Sequence, residues 1–416
     1  MAVGRLRLLP AYEAATQPIP QYMTLNYGDL FKIQHVSNPF PLRPVSFSTL
    51  ASYLECPGCA LEMQRRRRAK EPKYFTNVFQ GSLFGTGTPD PRQVGTLLHA
   101  VINLLHDPDG PVPADKRAVL LRYPDVLTRF IRYDLLSALR EAGKIKMAIF
   151  LDEMCGYDGT LRKAVIEPLV RYQRELAHTR TTIFAGSERF QCKLLSTKNT
   201  FANHQDWGGY VGLVGEFDQI RLRQSSEGGV RPTIMEFKKG LGKKRSWDKM
   251  YTPQHDDLED TYESTMSDNL TEPGLAHALQ LMIYWLAFQT RWDVMGPMLA
   301  SRGRVEDLRM PLQQDLDLIL YDLNDGSQYQ LVPTDLQQAL VTLTNCIFHL
   351  NWAMKSGYIC QTPEHNCGKT QLLAEMPGAL VQVGFSRIHA DQCYSMARQA
   401  FQEFSTTVRW QKLPGV

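Results

Sequence analysis

Gly215-Glu216-Phe217-Asp218-Gln219-Ile220, a turn carrying Gly228 and Gly229, and then Ile234-Met235-Glu236-Phe237-Lys238-Lys239 form the stretch that decides how this chain is read. Tyr210 to Arg223 and Thr233 to Lys238 have strand composition on either side of the glycines. Side chains two apart on a strand share a face, so Glu236 and Lys238 project together while Phe237 enters a core. If the hairpin sets Asp218 beside Glu236, two carboxylates and an ammonium converge. Carboxylate oxygens are hard ligands suited to Mg2+ or Mn2+. An adjacent lysine can orient a metal-bound water or offset charge as that water attacks phosphorus. Taken alone, an Asp and an E-x-K are also what solvated edge-strand charges look like. The rest of the chain decides between the two.

Upstream, Ser46 or Ser48 is a plausible N-cap for a helix running through Leu50, Tyr53 and Leu54 towards Arg68. Residues 72 to 91 read as loop. Val94, Leu97, Leu98, Val101, Ile102 and Leu105 then repeat at helical spacing, with His99 among them. The pattern stays helical from about 113 to 180, and 187 to 195 is a further strand. Downstream, 240 to 273 is polar and charged, and helix returns at 274 to 291. Residues 316 to 322 and 328 to 332 read as a hairpin around Asn324, Asp325 and Gly326, and 334 to 355 as a long helix.

Five motifs thus stand in order: Ser48-Thr49-Leu50-Ala51-Ser52-Tyr53-Leu54-Glu55-Cys56-Pro57, Gly95-Thr96-Leu97-Leu98-His99, Gly215 to Asp218, Glu236 to Lys238, and Gln280-Leu281-Met282-Ile283-Tyr284. In that order they resemble the RecB-type branch of the PD-(D/E)XK nuclease superfamily. The branch includes nuclease domains of bacterial helicase-nucleases, CRISPR-associated RecB-like nucleases and eukaryotic exonuclease V. The resemblance covers roughly residues 44 to 370 and implies a restriction-endonuclease-like α/β core, a central mixed sheet flanked by helices. It also implies that His99, Asp218, Glu236 and the Phe237 carbonyl hold Mg2+ or Mn2+. Lys238 would activate water, with Gln280 and Tyr284 positioning substrate or lysine. Residues four apart on a helix lie one above the other, so Gln280 and Tyr284 share a face. They are equally readable as a buried hydrogen-bonding pair. His277 lies close to that face and is a candidate accessory DNA contact.

Many RecB-type nucleases carry a four-cysteine iron–sulfur cluster, and here the pattern departs. Cys56 and Cys367 fit, but Thr370 and Leu373 stand where two further cysteines belong. A different set, Cys56, Cys59, Cys360 and Cys367, with His365 as a stand-in, would suit an iron–sulfur (4Fe-4S) cluster or Zn2+, since Cys56-Pro57-Gly58-Cys59 has knuckle spacing. Free cysteines are also commonly small buried hydrophobes. Two basic runs, Arg65, Arg66, Arg67, Arg68 and Lys243, Lys244, Arg245, are candidate phosphate contacts on DNA, with Trp247 and Tyr251 placed to stack on unpaired bases. Such runs are also ordinary solvated helix ends and loops.

Composition bounds these readings. Of 416 residues, 43% are hydrophobic and 21% charged, which excludes wholesale disorder. Lys and Arg (46) nearly balance Asp and Glu (43), so a nucleic-acid surface must arise by local clustering. The apolar stretch Leu279 to Phe288 is far short of the roughly 20 residues needed to span a bilayer. The expected protein is soluble and cytoplasmic, or nuclear or organellar in a eukaryote, with no membrane contact. Its expected layout is an arm (1–44), N-terminal core helices (45–112), a helical insertion (113–185), a catalytic core (186–371, with the charged loop 240–273) and a C-terminal extension (372–416). The expected activity is hydrolysis of DNA phosphodiesters on single strands or ends, in repair, recombination or antiviral defence, with a helicase or ATPase as a plausible partner. The alternatives are a catalytically silent nuclease-fold scaffold and a zinc-stabilised adaptor.

Overall fold

A computed structural model describes residues 24–27, 31–35, 45–55, 89, 91–106, 110–179, 181–185, 187–196, 210–224, 230–241, 273–289, 316–355 and 387–414. Its strands are β1 (Thr24–Tyr27), β2 (Phe31–His35), β3 (Val45–Ser46), β4 (Thr182–Ala185), β5 (Glu188–Ser196), β6 (Tyr210–Phe217), β7 (Gln219–Gln224), β8 (Val230–Lys238), β9 (Asp317–Asp322), β10 (Gln328–Pro333) and β11 (Val408–Lys412). The helices are α1 (Phe47–Glu55), α2 (Pro91–His106), α3 (Ala114–Arg122), α4 (Pro124–Tyr133), α5 (Leu135–Glu141), α6 (Ile145–Cys155), α7 (Asp158–Leu161), α8 (Glu167–Thr179), α9 (Leu275–Gln289), α10 (Leu336–Lys355) and α11 (Arg387–Thr406). A π-helical turn, Arg162–Ile166, joins α7 to α8.

The strands form two sheets, and the larger is the central mixed sheet flanked by helices that was expected. One has the order β1-β2-β5-β6-β3 and the other β11-β10-β9-β8-β7-β4. Both are mixed: β3 pairs parallel with β6, and β8 parallel with β9. Tyr210 to Arg223, read as one strand, is broken at Asp218 into β6 and β7, which belong to different sheets. Burial parity gives the reason. Val211, Leu213 and Phe217 face one core at odd positions, and Ile220 faces the same core at an even one. A continuous strand would turn Ile220 to the other side. The slip falls at Asp218, which sits between the ladders.

The six-stranded sheet has an apolar core on each face. Ile234, Leu318 and Leu320 enter the core shared with α1, α9, α10 and α11. Their neighbours Met235, Phe237, Ile319 and Tyr321 enter the core shared with α2 to α8. Strands buried on both faces read as nearly continuous apolar runs, as Asp317–Asp322 does. Helix α9 is buried along nearly its whole circumference, with contacts to β5, β8, β9, α1 and α10. Helix α2 begins at Pro91, where a missing N–H is harmless, and buries Val94, Leu97, Leu98, Val101, Ile102 and Leu105. Ser46 caps α1 by accepting the Thr49 N–H at 3.3 Å. Gly326 holds φ +82° in the β9–β10 turn, a conformation open to glycine.

The first and last strands of the described residues enter the two sheets. β1 and β2 extend the first sheet through β5, although residues 1–44 show no strand periodicity. β11 adds an edge to the second sheet by pairing with β10, and α11 packs on α10. No helix of the described residues is long and apolar enough to cross a membrane.

Candidate active site

The site lies where β8 outruns β7. The β7–β8 ladder ends at Gln219 opposite Met235, so Glu236, Phe237 and Lys238 continue beside Asp218 with no ladder partner on that edge. Asp218 fills the gap: its Oδ2 accepts the Phe237 N–H at 2.8 Å. A residue's N–H and C=O leave a strand on the same edge, so the Phe237 carbonyl also faces the Asp218 side. On the opposite edge, the Lys238 carbonyl accepts the Leu323 N–H at 2.7 Å.

His99 arrives on α2 from one face of the sheet. Its Nδ1 lies 3.3 Å from Asp218 Oδ1, and its ring meets Phe237 edge-on, with centroids 6.0 Å apart. From the other face comes α9. Gln280 Nε2 donates to Glu236 Oε1 at 2.7 Å and to the Tyr284 hydroxyl at 2.7 Å. Lys238 Nζ pairs with the same Glu236 oxygen. Period-2 geometry therefore places Glu236 and Lys238 together and buries Phe237 opposite, as expected.

The charges act on one another at close range. Burial pushes the Glu236 carboxyl up, and the charge of Asp218 adds to this, so that it titrates at about 7 despite Lys238. Burial also acts to raise Asp218, but His99, Lys238 and the Phe237 N–H outweigh it and hold Asp218 below the usual carboxylate range. Burial acts to lower His99, yet the carboxylates of Asp218 and then Glu236 raise it. The Tyr284 hydroxyl is pushed well above its ordinary value, first by burial and then by Glu236 and Asp218.

Among the described residues, no three His, Cys, Asp or Glu side chains gather into an arrangement ready to hold an ion. Asp218 has one oxygen on His99 and the other on a backbone N–H. The donor set nevertheless fits a hard cation. Glu236 Oε2 is buried without a hydrogen-bond partner, an expensive state for a carboxylate oxygen. Two carboxylates, an imidazole and an outward-facing carbonyl surround that side of β8.

His277 lies half-buried in the first turn of α9, three residues before Gln280. Cys56, Cys59, Cys360, Cys367, His365, Arg65, Arg66, Arg67, Arg68, Lys243, Lys244, Arg245, Trp247 and Tyr251 fall outside the described residues. Sequence reading missed the polar layer behind the site. Arg221 is buried, and its guanidinium reaches Glu175 at 2.8 and 3.1 Å and Gln219 beside it. Gln219 in turn donates to the Tyr172 hydroxyl at 2.9 Å, and His106 Nε2 lies 2.7 Å from that hydroxyl. The available signal was alternation in β7, which puts Gln219 and Arg221 on the face opposite Ile220.

A mixed sheet, helices on both faces and an acidic strand end define an α/β nuclease fold. The chain belongs to the PD-(D/E)XK nuclease superfamily, whose family model matches residues 44–368. No curated protein matches the chain. Members of the superfamily generally hydrolyse phosphodiester bonds and typically use Mg2+ or Mn2+. The matched range takes in every candidate site residue from His99 to Tyr284.

Proposed function

We propose that this protein is a metal-dependent deoxyribonuclease of the RecB type, acting on single-stranded DNA or DNA ends. One observation carries the reading: His99 from α2, Asp218 from the β6–β7 break, Glu236 and Lys238 from β8 and Gln280 from α9 converge at one end of β8. Asp218, Glu236, the Phe237 carbonyl and His99 would hold Mg2+ or Mn2+. When bound, such an ion polarises a phosphate oxygen and lowers the pKa of an attacking water. Lys238, paired with Glu236, would orient that water and offset charge developing on phosphorus. Gln280 fixes the Glu236 carboxylate in one orientation, and Tyr284 braces Gln280. Neither aromatic nor amide needs to touch substrate for this role.

The order of motifs from Ser48 to Tyr284 supports the RecB-type assignment and, with it, DNA as substrate and work in repair, recombination or defence, alongside a helicase or ATPase. The test is purified protein with Mn2+ and labelled single- and double-stranded DNA. Metal-dependent cleavage is expected, and Asp218→Ala and Lys238→Ala abolish it. No cleavage of any DNA would leave a silent scaffold.

A further inference from the structure

Behind the site, on the helices between α2 and β4, a pocket of about 400 Å³ is lined by Arg132, Arg162, Arg171 and Arg174, together with Thr128 and Glu167. Four guanidiniums share the lining with one carboxylate, Glu167, and a second, Asp158, pairs with Arg132 from outside it. Arg132 pairs with Asp158 at 2.9 Å and Arg162 with Glu167 at 3.2 Å, and both pairs are solvent-exposed. Exposed pairs of this kind contribute little and exchange readily for another anion. Arg174 is exposed and has no carboxylate partner among the described residues. Contacts to Asp158, Glu167 and the Asn324 carbonyl hold Arg132, Arg162 and Arg171 around one concavity, and Arg174 adds a fourth like charge. A concave cluster of forked, permanently charged donors suits phosphate oxygens.

The pocket is joined to the candidate active site. Arg171 donates to the Asn324 carbonyl in the β9–β10 turn, and Asn324 Oδ1 accepts Lys239 Nζ at 3.2 Å. Lys239 follows Lys238, and its Cβ lies against Gly95, one turn before His99 on α2. A basic path therefore runs from the end of β8 through Lys239 and Arg171 to Arg174 and Arg162.

We infer that this four-arginine pocket binds the sugar-phosphate backbone of nucleic acid at a point remote from the scissile bond. The inference rests on the nuclease reading for its choice of polyanion. The pocket holds the strand by charge, without sequence preference, and sets its path to β8. Oligonucleotides too short to reach from β8 to the pocket gain nothing from it.

The test is full-length protein in EDTA with labelled single-stranded and duplex oligonucleotides, with affinity read by fluorescence anisotropy across a salt series. The variant is Arg162→Gln combined with Arg174→Gln. Arg129→Gln is the control, an exposed arginine about 100° around α4 from Thr128, outside the pocket. The double variant weakens binding about tenfold, and its log–log salt slope falls by about one to two, whereas the control moves neither. Circular dichroism and melting temperature establish that each variant is folded. An affinity and slope equal to the control's overturn the inference and leave the pocket to an acidic protein surface. Cleavage with Mn2+ on the same preparations separates the two readings. Cleavage with an unmoved slope removes the pocket alone, and a moved slope without cleavage upholds the pocket and removes the nuclease.

Discussion

His99 Nδ1 stands 3.3 Å from one oxygen of Asp218 while the other oxygen accepts the Phe237 N–H at 2.8 Å. One carboxylate thereby ties a helix from one face of the sheet to the β6–β7 break and to β8. The pair is also a pH-dependent contribution to stability. His99 is raised in the folded state, so its contribution is full below its ordinary value and is lost as pH rises through the folded one. Asp218 is lowered, so its contribution is present above its ordinary value and is lost as pH falls through the folded one. Metal-free His99→Ala should therefore melt below the parent by most in acid, below the ordinary histidine value, and the gap should narrow as pH rises through the folded value, leaving the loss of the ring's contact with Phe237. Melting scans in EDTA check this; a gap that widens with pH would sink it.

Glu236 behaves oppositely. Its carboxyl is raised to about 7 by burial and by Asp218. A raised carboxyl favours the folded state in acid, and the ionised form opposes folding progressively as pH climbs from the ordinary value through 7. Glu236→Gln removes that charge and keeps an oxygen for Gln280 Nε2. Metal-free Glu236→Gln should therefore be more stable than the parent at about pH 8, by on the order of 1–3 kcal/mol, and level with it in acid. The same change should remove metal-dependent cleavage, by at least about a hundredfold. Loss of stability at pH 8 would refute the charge argument.

The elements around the site were legible because their periodicities are strong. Leu97, Leu98, Val101 and Ile102 mark α2, and Glu236, Phe237 and Lys238 alternate as a strand must. The break at Asp218 was less legible. It depends on a one-residue parity slip between Phe217 and Ile220, which local composition does not mark. β2 and β11 escaped notice because each pairs with a strand far away in sequence, and β1 joins the sheet only through β2. The four-arginine pocket was invisible for a similar reason: Arg132 and Arg174 lie on different helices, and neither belongs to a basic run.

The glycine that opens the G-x-x-D motif has a packing role. A Cβ on Gly215 would fall 2.6 Å from Phe190 Cε1, and the Phe190 ring is wedged against Phe217 and Tyr284 at centroid distances of 4.8 and 5.7 Å. Gly215→Ala must displace that ring, and with it Tyr284 and Gln280. We expect a loss of about 1–3 kcal/mol in urea denaturation. Adding Phe190→Leu should return part of it, a coupling that a double-mutant cycle reads directly. Purely additive effects would mean that the ring does not obstruct the site.

Beneath the site, Arg221 and Glu175 form a buried pair at 2.8 Å that joins α8 to β7. His106 cannot share the charge, since burial and then Arg221 and Arg117 depress it to about 3 and keep it neutral. Removing one partner leaves the other ionised in the core. Glu175→Leu should cost about 3–5 kcal/mol, whereas Glu175→Leu with Arg221→Met should recover most of that loss because no buried charge remains. The double variant should still cleave less well than the parent. Gln219 follows Asp218 directly and is held by Arg221 Nε, so freeing Gln219 loosens the break that aims the carboxylate. Restored melting with cleavage equal to the parent's would reduce the pair to a stability element with no bearing on Asp218.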